Sequence, residues 1–214
     1  VGIEIINSTG FYKTPFMPDY VSTASVEELA QIMLEDIAKG AKVIGEIGTS
    51  KNEWTNDEHK VFEATVIAQK KTNVVIITHT TLGTLIKEQV DFFLENGINP
   101  KKVIISHVAL SNDLDAIRYA LQKGFNVAFD TIGKTKYLPD ETRVQFMKTL
   151  IQEGYMHQLL MSMDITRQSH LKKNGGVGYA YLLDTFIPML EQAGISEDTI
   201  TTITSKNFTE ILEA

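Results

Sequence analysis

The amino-acid sequence predicts an α/β fold of the (β/α)8 TIM-barrel type, in which parallel strands alternate with helices along the chain. Short β-branched runs alternate with longer stretches of helical period, which is typical of βα units. These units recur about every 23 to 38 residues, near the repeat of such a barrel. The chain has 214 residues, of which 43% are apolar and 22% charged, so residues 1–214 are expected to form a single globular domain.

The β-branched runs predict six strands, which lie at residues 3–8, 43–47, 74–78, 103–106, 126–129 and 159–163. Two helices carry start signals, since Ser25 with Glu28 and Thr55 with Glu58 have the spacing of capping boxes. Four glycines that follow apolar-periodic runs mark helix ends, namely Gly40, Gly97, Gly124 and Gly154. The last strand is followed by a glycine-rich loop and two further helical stretches, at residues 172–181, 179–193 and 207–212.

The composition excludes several classes of function. The formal net charge is -7 and no basic run occurs, which argues against a nucleic-acid partner. There are no cysteines, so any metal must be held by histidine and carboxylate side chains. No apolar stretch approaches the roughly 20 residues of a membrane span. The expectation is a cytoplasmic protein that binds a small-molecule substrate, either alone or as a homodimer.

Five consecutive predicted strands end in an ionisable side chain, and these residues are Glu46, His79, His107, Asp130 and Asp164. The carboxyl ends of parallel strands meet at one face, where barrels build their active sites. Each residue taken alone is more often a hydrogen-bonded structural residue, but the same coincidence at five successive strands favours a shared metal centre. Histidine and carboxylate ligands suit Zn, Mn, Fe or Co.

Six stretches of the chain carry a recognisable pattern, and they read "STGFYKTPFMP", "VIGEIGTS", "THTTLGT", "ISHVALSNDLD", "FDTIGKTKYLPDETR" and "LLMSMDITRQSHLKKNGGVGYAYLLDTFIPML". In order and spacing they resemble the phosphotriesterase family of the amidohydrolase superfamily, and within it the bacterial phosphotriesterase homology proteins. The match covers nearly the whole chain. It implies a barrel of the metal-dependent hydrolase type.

The resemblance implies two divalent metal ions at the strand ends, zinc first, with Mn, Co or Fe as alternatives. Glu46 matches a residue that bridges the two metals, which would explain a carboxylate in an apolar strand. By the same matching, His79 and His107 would ligate the more exposed metal. Asp164 would ligate the more buried metal and shuttle the proton from the bridging water. Tyr12 matches a tyrosine that borders the metal centre in lactonase-like members.

The implied reaction is hydrolysis of a lactone, carboxylic ester or phosphoester by a metal-bridging hydroxide, without a covalent intermediate. Tyr12, Arg167 and His170 are the substrate-binding candidates. Lys134 and Lys136 are further anion contacts, although a solvated loop charge is an equally good interpretation of each basic residue.

The chain departs from the family pattern at its beginning. The family's first strand carries a His-X-His pair that completes the buried metal site, and no such pair occurs in this sequence. The first two strands of the barrel are therefore expected to be absent here. A preceding segment of roughly 70 to 80 residues, enough for two βα units, is predicted to supply them. The first and last strands present should then be separated by an open gap.

Two alternatives to the two-metal hydrolase stay open. A one-metal barrel reaction of the deaminase or decarboxylase kind would use the same face, but it leaves Glu46 without an obvious task. A catalytically silent, truncated barrel that acts as a binding or assembly module would explain the missing histidine pair. The retention of the other ligands opposes that second interpretation.

Overall fold

The computed structural model describes residues 4–213, which form one sheet of six parallel strands with helices packed against it. The strands are β1 (Ser8–Thr9), β2 (Val43–Thr49), β3 (Val75–Thr80), β4 (Val103–Ser106), β5 (Asn126–Phe129) and β6 (Leu159–Met161). They neighbour one another in chain order. Consecutive parallel strands joined by helices are the layout of a (β/α) barrel, so the predicted fold class is confirmed.

The helices are α1 (Val26–Ala38), α2 (Asn56–Thr72), α3 (Ile86–Glu95), α4 (Leu114–Gln122), α5 (Asp140–Gln152), α6 (Ile187–Gln192), α7 (Glu197–Thr201) and α8 (Asn207–Glu213). Both predicted capping boxes form, at the start of α1 and of α2. In each box the cap hydroxyl accepts from a backbone N–H that has no partner inside the helix. No helix in the described part of the chain is long and apolar enough to cross a bilayer.

The first strand is shorter than predicted. Residue 3 lies outside the described residues, and residues 4–7 are exposed and not in a strand. β2 begins at Val43, which pairs with Ser8, so the residues before Ser8 have no ladder to join. Upstream of that pair, the Lys42 N–H donates to the Asn7 carbonyl at 2.9 Å. The last strand also ends early, at Met161 rather than residue 163.

The sheet does not close on itself. β1 and β6 are its two edges, and within residues 4–213 no backbone pairing joins them. The expected gap between the first and last strands is therefore present.

Apolar side chains form two separate cores on the two faces of the sheet. The larger core lies between the sheet and the outer helices. The smaller core lies on the inner face, where one residue from each of β2 to β6 meets Ile211, and its members are Val43, Val75, Ile104, Ala128, Leu160 and Ile211. Phe208 and Leu212 of α8 pack against this core. α8 therefore covers the amino-terminal end of the strands, and the opposite end is left for a functional site.

β2 contains an irregularity that decides where one side chain points. Ile44 pairs with Ile76 and Ile47 with Thr78, so β2 has one residue more than β3 in this interval. Gly45 and Glu46 consequently both line the inner cavity, whereas Ile44 and Ile47 belong to the outer core. A regular two-residue alternation from Ile44 would have turned residue 46 toward the outer helices. The bulge is what brings its carboxylate inside.

Glycine is required at this bulge. A Cβ on Gly45 would lie 2.4 Å from the carbonyl oxygen of Ile77 on the adjacent strand. The residue also has φ of 152°, which side-chain-bearing residues rarely adopt. β3 can therefore approach β2 closely only at a residue without a side chain.

Candidate metal centre

Three neighbouring strands place side chains together at their carboxyl ends. Glu46 comes from the bulge of β2, and His79 lies on β3 in regular alternation with Ile77 and Val75. His107 follows β4 directly and has φ of 61°, a left-handed conformation that turns its ring back over the strand end. The rings of His79 and His107 are edge to face, with centroids 4.5 Å apart.

The Glu46 carboxylate lies between the two histidines. Its Oε2 is 3.5 Å from Nδ1 of His79, and its Oε1 is 3.3 Å from Nε2 of His107. One oxygen thus faces each ring. The side chain of His107 is 4% exposed and that of Glu46 is 35% exposed, so the group is open to the cavity from the Glu46 side.

Asp130, at the end of β5, holds His107 in place. Its carboxylate accepts from Nδ1 of His107 at 2.8 Å and from the His107 backbone N–H at 3.0 Å. These two bonds fix the ring orientation and direct Nε2 toward Glu46. Asp130 was one of the five strand-end residues from which a shared metal centre was predicted, but it was given no role of its own. Its position at a strand end predicted that it would lie near the site. Its role as the hydrogen-bond acceptor of His107 depends on the backbone turn at His107.

Tyr12 borders the same group from the loop after β1. Its hydroxyl lies 3.2 Å from each ring nitrogen of His79, and the two rings are edge to face. Burial, together with the charges of Glu46 and Asp164, raises the pKa of the Tyr12 hydroxyl well above its usual range. Tyr12 is therefore a neutral hydrogen-bonding group at neutral pH.

Asp164 lies outside the group of three. It follows β6 with φ of 44° and lines the same inner cavity as Glu46 and His107. Its carboxylate is hydrogen-bonded to the ammonium group of Lys134, from the loop after β5. Lys134 was predicted from the sequence as a candidate anion contact, but its partner Asp164 was not predicted.

Arg167 and His170 lie in the wall of a wide cavity above the site. This cavity has a volume of about 910 Å³. Apart from His79 and His107 of the metal-binding group, five lysine, arginine and histidine residues line it, namely Lys13, Lys134, Lys136, Arg167 and His170. Arg167 is exposed, and His170 is half-buried and accepts from the Thr166 backbone N–H at Nδ1. The cavity therefore has a floor, formed by Glu46, His79 and His107, and a cationic wall, formed by the five basic residues.

Hydrogen bonds decide the charge states at the floor. Burial would raise the pKa of Glu46, but hydrogen bonds from His107 and His79 outweigh it and lower the pKa to about 2. Burial would lower the pKa of His107, yet Asp130 and Glu46 raise it to about 10. Desolvation prevails at His79, whose pKa is lowered despite its contact with Glu46. Without metal, the proton of the site stays on His107.

The metal-free protein should lose stability as the pH rises from about 6.5 toward 10. The pKa of His107 is raised from 6.5 in folding, so its contribution is complete below 6.5 and is lost as the pH passes through about 10. The pKa values of Glu46 and His79 are lowered in the folded protein, so these two groups change the stability only as the pH falls below their ordinary pKa values. Thermal unfolding of chelator-treated protein between pH 6.5 and 9.5 measures this decline.

His107→Gln is the matched control for this pH dependence, because glutamine does not titrate. The decline in unfolding temperature should be shallower in the variant than in the parent protein. Equal slopes in the two proteins would assign the alkaline loss to other groups.

The donor set fits a divalent metal. Glu46, His79 and His107 each offer one ligand atom, and these three atoms lie within 4.8 Å of one another. Imidazole nitrogen and carboxylate oxygen are common ligands of zinc and of other first-row metals. The hydrogen bond from His107 to Asp130 is the outer support that metal-binding histidines usually have. A parallel barrel sheet that gathers these groups at its strand ends has the layout of a metal-dependent enzyme of the TIM-barrel class.

The chain belongs to the phosphotriesterase family, whose model matches residues 1–212. It is 42% identical to the phosphotriesterase homology protein of Escherichia coli strain K12, over 96% of this chain and 73% of the relative. It is 29% identical to the phospho-furanose lactonase of Mycoplasmopsis synoviae, over 99% of this chain and 67% of that protein.

The solved structures agree with this assignment. The crystal structure of the Escherichia coli phosphotriesterase homology protein, complexed with phosphate in its active site, superposes with a TM-score of 0.95 at 40% identity. The superposition covers 98% of this chain and 75% of the solved chain. The family predicted from the sequence is thus confirmed, and the protein is an enzyme of a metal-dependent hydrolase family.

Proposed function

We propose that this protein is a two-metal hydrolase that opens a lactone carrying an anionic group such as phosphate. Carboxylic esters and phosphoesters are the alternative substrates. The observation that supports the proposal most strongly is the Glu46 carboxylate, whose two oxygens face different histidines beneath a cation-lined cavity. Zinc is the favoured metal, with Mn, Co or Fe as alternatives.

Glu46, His79, His107 and Asp164 would hold the metals. When bound, two divalent ions would polarise the scissile carbonyl or phosphoryl oxygen and lower the pKa of the attacking water. Asp164 would accept the proton, since it lines the cavity beside Glu46 and His107 and its carboxylate is half-buried. Tyr12, which lines the wide cavity, would donate a hydrogen bond to the substrate.

The cationic wall supports an anionic group on the substrate. Lys13, Lys136 and Arg167 line the wide cavity and come from three different loops. A guanidinium and several ammonium groups can bind phosphate by charge-assisted hydrogen bonds. The names of two relatives point the same way, since one is a phospho-furanose lactonase and the other was solved with phosphate in its active site.

The direct test is a hydrolase screen with paired substrates. A sugar lactone with a terminal phosphate, the same lactone without phosphate, an aryl carboxylic ester and an aryl phosphotriester are each assayed with added Zn or Mn. We expect the phosphorylated lactone to have a kcat/KM at least about tenfold above its neutral counterpart. Equal rates for the pair would remove the anionic group from the proposal, and turnover of the phosphotriester alone would replace the lactone.

Metal analysis separates this proposal from the alternatives. A two-metal enzyme should bind two equivalents per chain, and a one-metal deaminase-like or decarboxylase-like site should bind one. A silent binding or assembly module should bind none and turn over no substrate. Dialysis followed by elemental analysis measures the stoichiometry directly.

Tyr12→Phe should lower kcat by about tenfold to a hundredfold without changing the metal content. The hydroxyl is one positioned donor beside His79, whereas the ring that packs there is kept. Initial rates and metal equivalents are measured on the same sample. Wild-type kinetics in this variant would leave Tyr12 as a packing residue.

A further inference from the structure

Glu58 is a buried carboxylate that no part of the proposed chemistry uses. It lies in the first turn of α2 and is fully buried. No lysine, arginine or histidine among the described residues lies within ion-pair distance of it. A buried carboxylate without a cation must be compensated by hydrogen-bond donors.

Four donors from three segments compensate Glu58. The backbone N–H of Thr55 donates at 3.0 Å, which completes the capping box of α2. The backbone N–H and the hydroxyl of Ser50, just after β2, donate at 3.1 Å and 2.7 Å. The backbone N–H of Thr14, in the loop that carries Tyr12, donates at 3.2 Å. One side chain therefore caps a helix and also joins two loops.

The bond to Thr14 bears on the position of Tyr12. The Tyr12 carbonyl accepts from the Gly48 N–H on β2 at 2.8 Å, and two residues further on the Thr14 N–H donates to Glu58. The Thr14 and Thr55 hydroxyls also lie 3.1 Å apart. The backbone is thus tied to β2 at Tyr12 and to α2 at Thr14. Between these two ties the Tyr12 side chain reaches toward His79.

We propose that Glu58 is a positioning residue that holds the Tyr12 loop, and with it the Tyr12 hydroxyl, against the metal centre. This inference rests on the role given to Tyr12 in the proposed function. Glu58 touches neither the cavity floor nor the metal-binding group, so it acts only through the loop. Small displacements of a positioned group cost large factors in rate, which gives such a residue a measurable effect.

Glu58→Gln is the informative substitution, and Glu28→Gln is its matched control. Glu58 Oε1 accepts from the Thr14 N–H and the Ser50 hydroxyl, and Oε2 accepts from two backbone N–H groups. The glutamine amide nitrogen cannot accept, so it is placed best at the Oε1 position, where the Ser50 hydroxyl can turn to accept from it and only the Thr14 N–H loses its partner. Glu28 completes the capping box of α1, where it accepts from the Ser25 N–H at 2.8 Å. It is exposed and, among residues 4–213, has no hydrogen bond to another segment. Both variants weaken a capping box, and only Glu58→Gln releases a loop.

The kinetic arm is a double-mutant cycle with Tyr12→Phe. Glu58→Gln should lower kcat by about tenfold in the wild-type background, at unchanged metal content, and by less than about twofold in the Tyr12→Phe background. Glu28→Gln should leave kcat unchanged in both. Equal losses from Glu58→Gln in the two backgrounds would overturn the proposal, because Glu58 would then act independently of Tyr12.

The second arm needs no substrate. Amide hydrogen exchange should be faster in the peptide that contains residues 11–17 in Glu58→Gln, and unchanged there in Glu28→Gln. This result would stand even if the proposed hydrolase activity failed. Unchanged exchange in that peptide would overturn the positioning role. If Glu58→Gln does not fold, Ser50→Ala removes one donor to the same carboxylate and should produce the same pattern at smaller amplitude.

Discussion

Replacing Glu46 with glutamine is expected to remove most of the bound metal and to lower kcat/KM by about a thousandfold or more. The carboxylate presents one oxygen to His79 and the other to His107. Glutamine has nearly the same shape, but its amide is neutral and turns an NH2 group toward one of these positions. The loss should therefore be one of ligation rather than of folding.

Glu53→Gln is the matched control for Glu46→Gln, since Glu53 is an exposed glutamate in the loop after β2. Metal equivalents after dialysis, the thermal midpoint and kcat/KM are measured for both variants. The control should behave as the wild type in all three. Full metal content in Glu46→Gln would show that this carboxylate serves only as a hydrogen-bond partner of the histidines.

The second large effect is expected for Asp164→Asn, which should lower kcat by about a hundredfold to ten-thousandfold. Asparagine keeps the size and the hydrogen-bonding oxygen but cannot accept the proton. The contact with Lys134 is weakened by the same substitution, because the charge of Asp164 is lost. Single-turnover kinetics at saturating substrate isolate the chemical step from binding.

Lys134→Met separates the two effects of Asp164→Asn. It removes the cation and leaves the carboxylate, so its effect on kcat should be at least about tenfold smaller. Lys134→Met should mainly raise KM for anionic substrates, since Lys134 also lines the wide cavity above the site. Equal losses of kcat in the two variants would show that the ion pair, and not proton transfer, carries the effect.

The elements that were predicted well are those whose local signals agree with their surroundings. β4 and β5 were predicted at their observed bounds, because both are short apolar runs with a partner strand on each side. The capping boxes of α1 and α2 are local patterns of four residues and formed as predicted. β1 failed because strand formation needs a partner, and the apolar residues before Ser8 have none.

The convergence of the site could be predicted, but its detailed contacts could not. A parallel sheet brings strand ends to one face, so Glu46, His79, His107 and Asp164 were expected to meet, and the first three do. Which groups would pair was set by backbone conformations that the sequence does not display, namely the left-handed turns at His107 and Asp164. The contacts of Asp130 with His107 and of Lys134 with Asp164 follow from those turns.

Glu58 shows a further limit of reading local patterns. Its capping box with Thr55 is visible at a spacing of three residues. Its bonds to Thr14 and Ser50 join residues that are far apart in the chain, and nothing in the local pattern distinguishes it from the exposed Glu28. Burial therefore separates two side chains that the sequence presents as equivalent.

The bulge in β2 makes the position of the acidic ligand depend on the length of one strand. The position of Glu46 along the inner face depends on a single additional residue in β2, because Gly45 already occupies the place against Ile77. Loss of the Gly45 codon would restore an uninterrupted ladder, in which Glu46 would alternate with Ile44 and Ile47 and take the inner position opposite Ile77, one alternation below His79. A single in-frame deletion would therefore move the acidic ligand away from the histidines along β2, without any change in the strands that supply the histidines.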